Sequence, residues 1–227
     1  MGKLEKIISK ILPNLLPGSF ALVTKMKYIG RERKPFLSRT GDYVRVSSLE
    51  LVADEIYNNP EGAGAVAELG VYQGDFAKLI NEAFPDRKLY LFDTFEGFDE
   101  RDITTEKEKG FSKGDQDFSE TNIEMVISKM KHPENCIIKK GYFPETAKDL
   151  DEKFVFVSID TDLYEPIYNG LSFFYRNMVS GGVIFVHDYN NSGYKGAKEA
   201  VRKFCTENSI RHFPLSDIGG TAVIIKP

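Results

Sequence analysis

From about residue 48 the chain alternates between short apolar runs and stretches whose apolar residues recur at helical spacing. Val66–Leu69 reads as a strand, followed by a glycine turn and a helix from Asp75 with Phe76, Leu79, Ile80 and Ala83 on one face. Leu89–Phe92 reads as a second strand, ending at Asp93. The charged, glycine-containing segment from Glu96 to about Glu120 predicts a mobile loop, because long polar connections in compact domains often serve as lids. Thr121 with Glu124 resembles a capping box opening a helix that carries Val126, Ile127 and Met130. Cys136–Lys139 is a third strand, and Phe154–Ile159 a fourth with the unbroken apolar run of a buried parallel strand. Pro166 suits the first turn of a helix whose apolar face is Ile167, Leu171, Phe174, Tyr175 and Met178, and Gly181–Gly182 is expected to end it. Val183–Val186 follows as a fifth strand, then a helix marked by Ala197, Ala200, Val201 and Phe204. Arg211–Leu215 and Thr221–Ile225 close the chain as an antiparallel pair around Gly219–Gly220.

Repeated strand–helix units followed by a hairpin predict an α/β fold: an open, doubly wound, mostly parallel sheet covered by helices on both faces. Ligands of such sheets sit beyond the carboxyl ends of the strands. The residues there are Glu68–Gly74, Asp93–Phe95, Gly141–Phe143, Asp160–Tyr164 and His187–Tyr189.

The first of these ends reads Glu68-Leu69-Gly70-Val71-Tyr72-Gln73-Gly74, an E-x-G-x-x-x-G pattern. Gly70 and Gly74 allow a sharp turn and a close approach of backbone to ligand. A nicotinamide dinucleotide fingerprint needs a glycine where Tyr72 stands, and Gly62 and Gly64 precede the strand, on the wrong side for a phosphate loop. Glu68 suits a cofactor end bearing an amine and a sulfonium better than a pyrophosphate. Asp93 ends the second strand, where an acid can accept hydrogen bonds from both hydroxyls of a ribose. Tyr72, Thr94 and Phe95, on the same two turns, complete the candidate cofactor contacts there.

Asp160-Thr161-Asp162 and His187-Asp188 follow the fourth and fifth strands, which should be neighbours. Asp160, His187 and Asp188 could therefore meet around one hard cation, magnesium for carboxylates and water, with manganese or zinc admitted by the histidine. Such an ion would bind an acceptor hydroxyl and lower its pKa, and a carboxylate in reach could remove the proton. Taken singly, these acids read equally well as caps and turn residues. His132 and His212 read as surface residues, and Tyr164 and Tyr189 either line an acceptor pocket or simply pack.

Composition narrows the classes. With 41% hydrophobic and 28% charged residues the chain can bury a full core. A net charge of −4 with interspersed signs leaves no basic stripe for nucleic acid. Cys136 and Cys205 lack the spacing of a zinc site or disulfide framework, which fits a reducing, cytoplasmic location. Residues 1–40 stand apart from the domain expected over 41–227. Leu4, Ile7, Ile8, Ile11, Leu12, Leu15 and Leu16 recur at helical spacing, but Pro13, Pro17 and the lysines leave the run too short and charged to span a bilayer. It reads as a helical arm or lid packing on its own domain or on a second subunit, which would make a homo-oligomer; a membrane-surface helix is the alternative.

Together the motifs resemble the macrocin O-methyltransferase family, metal-dependent enzymes that methylate sugar hydroxyls on antibiotics. The resemblance is carried in order by Ala67–Gly74, Phe92–Phe98, Lys140–Thr146, Ile159–Glu165 and Ser180-Gly181-Gly182 leading to His187-Asp188-Tyr189. It implies a seven-stranded class I methyltransferase fold, S-adenosylmethionine with Mg2+ or Mn2+, and a small-molecule acceptor, a sugar or glycosylated metabolite. It also implies that Glu68, Gly70, Gly74 and Asp93 contact the cofactor, and that Gly141 and Tyr142 lie near its adenine. Asp160 would be both metal ligand and base, with Asp188 a second ligand. The pattern departs where family members commonly carry two aspartates and this chain has His187-Asp188, and where Pro166 replaces a serine. The rival readings are a nucleotide-cofactor oxidoreductase, against which Tyr72 argues, and a scaffold that keeps the fold without its chemistry.

Overall fold

The computed structural model describes residues 42–59 and 62–227, so the arm expected over residues 1–40 lies outside the described residues. The chain enters with α1 (Tyr43–Asn58), whose N-cap Asp42 accepts a hydrogen bond from Val44 N at 2.8 Å. It continues through β1 (Ala65–Leu69), α2 (Ala77–Ala83), β2 (Leu89–Asp93), α3 (Glu100–Glu108) and α4 (Ile123–Ser128). Then come β3 (Cys136–Lys140), β4 (Phe154–Ile159), α5 (Tyr164–Asn177), β5 (Met178–Val186), α6 (Lys195–Glu207), β6 (Phe213–Pro214) and β7 (Ala222–Ile225). The sheet has seven strands in the order β3-β2-β1-β4-β5-β7-β6. β7 pairs antiparallel with both β5 and β6, and the other pairs are parallel. The expected doubly wound sheet and closing hairpin are therefore both present.

Strand periodicity divides the core. Ala65, Ala67 and Leu69 of β1, with Tyr90 and Phe92 of β2, face α5 and α6 and their Leu171, Phe174, Val201 and Phe204. Val66, Leu89 and Leu91 face α1 and α2, against Leu49, Ala53, Ile80 and Phe84. Phe174 is a hub, its ring 5.1 Å from Phe154 and 5.7 Å from Phe92 between centroids. Burying each such ring contributes about 2–3 kcal/mol. Glu68 falls on the Val66 side of β1, the side that α1 covers, and this brings it toward Arg45.

Three expectations about local structure are corrected. The segment 96–120 is not simply a loop, because α3 occupies most of its first half. Asp99 caps this helix, and Glu100 and Lys107 match its dipole. It was invisible to an apolar period because it docks through carboxylates: Asp102 and Glu106 are its buried residues. Glu106 Oε2 accepts from Tyr164 N at 3.0 Å, at the start of α5. The next helix is capped by Asn122, which accepts from Met125 N at 2.8 Å, while the Thr121 hydroxyl donates instead to the Tyr72 carbonyl. Gly181 and Gly182 lie inside β5 rather than after a helix. α5 stops at Asn177 because Met178 turns extended, and the glycines serve a bulge: Met178 pairs with Phe154, but Val183 pairs with Phe156.

Candidate active site

The strand order reverses at β1, which lies between β2 and β4, and the crevice at that switch point is where the candidate residues gather. Gly70 N donates to Phe92 O at 2.9 Å, and Asp160 N to Leu69 O at 2.8 Å, so three strand ends meet there. Gly70 has φ +85°, and a Cβ on it would lie 2.1 Å from the Asp160 carbonyl oxygen. That approach requires glycine. Of the five non-glycine residues with positive φ among the described residues, Tyr72, Phe95, Asp162 and Asp188 lie two or three residues past a strand, and Ser209 follows α6. Strained backbone thus concentrates at the crevice.

Asp93 braces the turn. Its Oδ2 accepts from Val71 N at 2.7 Å and Tyr72 N at 2.9 Å, and its Oδ1 from Phe95 N at 2.6 Å. Three backbone donors leave about one of a carboxylate's four lone-pair sites for a ligand. Thr94 is spent on its own turn, donating to Gly97 O at 2.6 Å, and the Phe95 ring is buried in the core. Gly74 packs on α4, where a Cβ would meet Val126 at 3.0 Å. Tyr72 remains 37% exposed and stands edge-on to Phe118 at 5.2 Å, which ties the glycine turn to the far end of the segment containing α3. Phe118 meets Phe98 at 5.0 Å, Phe98 meets Tyr194 at 6.5 Å, and the Tyr194 hydroxyl donates to Gln116 at 2.5 Å. A strap of aromatic contacts therefore spans from β1's turn to the start of α6.

Glu68 is 1% exposed, and its Oε2 has no hydrogen-bond partner. Burial first, and the Asp160 carboxylate second, push it well above the usual carboxylate range. An acceptor so placed fits a donor such as the amine of an amino-acid-bearing cofactor. Tyr142, after β3, donates to Asp102 at 3.1 Å, and the Arg101 guanidinium covers its ring at 3.4 Å. Gly141 N donates to Asp93 O at 2.9 Å, so this turn and the Asp93 turn are joined.

Burial raises Asp102 to about 7. The fold therefore favours its protonated form: the associated stability is complete below the unfolded value near 4 and lost as pH rises through 7. Asp102→Asn keeps an acceptor for Tyr142. It is expected to melt higher than the wild type at pH 8 and to converge with it near pH 4, as calorimetric melts at the two pH values will show.

The acids after β4 and β5 converge. Ligand atoms of Asp160, His187 and Asp188 all lie within 4.8 Å of one another. His187 Nδ1 is 2.7 Å from Asp188 Oδ2 and 3.2 Å from Asp160 Oδ1. Burial disfavours a charged ring, but the Asp160 and Asp188 carboxylates outweigh it and push His187 up to about 10. Asp160 is likewise opposed by burial and yet held well below the usual range, by Arg45 and then His187. Two carboxylate oxygens and an imidazole nitrogen are a donor set that fits a divalent cation.

Arg45 is the residue that sequence reasoning missed. It lies on α1, ahead of the region where the alternating pattern was legible, and is 7% exposed. Its Nη1 donates to Asp160 Oδ2 at 2.9 Å, its Nη2 to the Ser158 hydroxyl at 3.2 Å, and its guanidinium lies 3.7 Å over the Phe76 ring. Within the Tyr43–Asn58 helix it shares a face with Leu49 and Ala53, a charge on an otherwise buried stripe, and that was the available signal. Tyr164 and Tyr189 are 6% exposed and belong to the core, so packing accounts for them. His132 and His212 have partners of their own: His132 N donates to Asn81 at 2.7 Å, and His212 Nε2 lies 2.8 Å from the Tyr189 hydroxyl.

A seven-stranded sheet of this order, with a glycine turn and acid at its switch point, defines a class I S-adenosylmethionine-dependent methyltransferase fold. Residues 28–226 match the macrocin-O-methyltransferase (TylF) family, and the chain belongs to it. It is accordingly an O-methyltransferase. Among solved structures, the O-methyltransferase NovP superposes with a TM-score of 0.67 at 18% identity, over 80% of this chain and 79% of that one. The calicheamicin methyltransferase CalS11 gives 0.63 at 18% identity, over 80% and 78%. Cofactor-bound Rv0187 from MTB gives 0.59 at 16%, over 84% of each chain. No curated protein matches the sequence.

Proposed function

We propose that this methyltransferase acts on a hydroxyl of a sugar or glycosylated metabolite, with a divalent cation held by Asp160, His187 and Asp188. The convergence of those three residues beside the β1 turn is the observation that carries the reading. CalS11, which shares the fold, is described as a TDP-rhamnose 3'-O-methyltransferase, consistent with an acceptor of that kind. Bound S-adenosylmethionine supplies an electrophilic methyl group, and a bound divalent cation supplies a Lewis acid that lowers the pKa of a hydroxyl.

The chain's own residues do the rest. Glu68 offers an acceptor to the amine end of the cofactor. Asp93 holds the glycine turn and keeps one site for a ribose hydroxyl, while Gly141 and Tyr142 border the adenine. Asp160 takes the proton of the acceptor hydroxyl. A carboxylate held low by Arg45 is a weak base, so this transfer needs the hydroxyl to be acidified first. Mg2+ or Mn2+ would supply that acidity if held by Asp160, His187 and Asp188, and the imidazole nitrogen would suit manganese.

The protein is expected to act in a reducing compartment on a small molecule; both cysteines are free thiols, and no helix among the described residues is long and apolar enough to cross a membrane. Calorimetric titration with S-adenosylhomocysteine, with and without Mg2+ or Mn2+, tests the reading. Saturable binding, followed by metal-dependent methylation within a panel of glycosides, is the expected result. Absence of binding under every metal condition would overturn it.

A further inference from the structure

Each candidate metal ligand turns one atom toward the others and has its remaining atom held from behind. Asp160 presents Oδ1 while Arg45 holds Oδ2. Asp188 presents Oδ2 while its Oδ1 accepts from Asn191 Nδ2 at 2.7 Å. His187 Nε2 lies 3.1 Å from the carbonyl oxygen of Ile218. A carbonyl can only accept, so Nε2 keeps a proton, and Nδ1, which donates to the two carboxylates here, is the nitrogen free to ligate once a cation displaces its proton.

Ile218 belongs to the turn between β6 and β7, which presses against the back of this cluster. Gly219, with φ +79°, brings the backbone so near that a Cβ would lie 2.8 Å from Asp188 Oδ1 and 3.3 Å from His187 Cε1. The turn is pinned from several sides. Ile218 N donates to Asp42, the N-cap of α1. Tyr189 N donates to Gly220 O and Asn190 N to Gly219 O, each at 2.8 Å. Asp217 accepts from Thr221 N at 2.6 Å. A hairpin whose purpose in the fold is to end the sheet is thus fastened to the residues directly after β5.

We infer that the Ile218–Gly219 turn is the rear wall of the metal centre. Its carbonyl fixes the His187 tautomer so that Nδ1 ligates, and the bare Cα of Gly219 leaves Asp188 room to present Oδ2. Ile218, Gly219 and Asn191 are positioning residues, acting through His187 and Asp188 rather than on the substrate. The inference rests on the cation reading above.

The test uses the intact protein and two variants, Gly219→Ala and Asn191→Ala. Mn2+ binding is followed by electron paramagnetic resonance, S-adenosylhomocysteine binding by calorimetry without metal, and the His187 tautomer by long-range 1H–15N correlation on the zinc-loaded wild type. Both variants are expected to weaken Mn2+ by about ten- to a hundredfold, the usual cost of losing an outer partner. Their S-adenosylhomocysteine affinity should stay within about twofold of wild type, because the turn lies on the β5 side of the crevice. Zinc at Nδ1 with Nε2 protonated is the expected spectrum. Ligation at Nε2, or variants that bind Mn2+ as the wild type does, would overturn the inference while leaving the cation reading intact. A wild type that binds neither ion removes the cation reading itself. If Gly219→Ala does not fold, the tautomer spectrum and Asn191→Ala still decide.

Discussion

Asp160→Asn is expected to lower turnover by about a hundred- to ten-thousandfold, the range for loss of a positioned proton acceptor. The amide keeps the size of the side chain and an oxygen for the Arg45 guanidinium, which now donates to Asp160 Oδ2 at 2.9 Å. It cannot take a proton from a hydroxyl, and it removes a negative charge from the cluster with His187 and Asp188. Two effects therefore combine, a lost base and a weakened cation site. Binding of S-adenosylhomocysteine should change little, because Glu68 and Asp93 are untouched. The variant is assayed on whichever glycoside the acceptor panel yields, with calorimetry on the same preparation. Full turnover together with normal cofactor binding would dispose of the role assigned to Asp160.

Arg45→Met is expected to destabilise the protein by about 3–5 kcal/mol at pH 7, the cost of leaving one member of a buried ion pair alone. His187 still faces Asp160 at 3.2 Å, which places the result toward the lower end. For a domain of this size, about 3 kcal/mol corresponds to a melting temperature lower by roughly 6–12 °C. Methionine retains an apolar stem against the Phe76 ring, so the charge is the principal loss. The pH dependence has a definite sign. Arg45 holds the Asp160 pKa down, so the stability it confers is complete above the unfolded value near 4 and disappears as pH falls below it. The gap between the two proteins should accordingly be full at pH 7 and narrow in acid. Arg45→Lys should recover only part of the loss, because an ammonium cannot bridge Asp160 and Ser158 while stacking on Phe76. Equal melting temperatures for wild type and Arg45→Met at pH 7 would show that the pair contributes nothing.

Much of this architecture was legible in the order of residues. The run Phe154–Ile159 announces a buried strand because both of its faces must be apolar, and it was found with its full span. Glu68, Gly70 and Asp93 could be picked out because strand ends in a parallel sheet have one place to go, the crevice at the switch point. Asp160, His187 and Asp188 follow from the same logic, once β4 and β5 are neighbours.

What escaped shares a physical cause. α3 presents carboxylates rather than an apolar stripe to the body of the protein, so its period carried no hydrophobic signal; Glu106 finds the start of α5 58 residues later. Arg45 gains its meaning only from Asp160, 115 residues away. Gly219 looked like an ordinary hairpin glycine, and its tight approach to Asp188 depends on how the last two strands are laid against β5. Local sequence determined the strands, the glycine turn and the acids at the strand ends, because backbone preference and hydrophobic period act over a few residues. Tertiary structure alone decided the Arg45 pairing, the aromatic strap and the wall behind His187. Those contacts join residues far apart in the chain, and their energies depend on burial and direction, which no local pattern encodes.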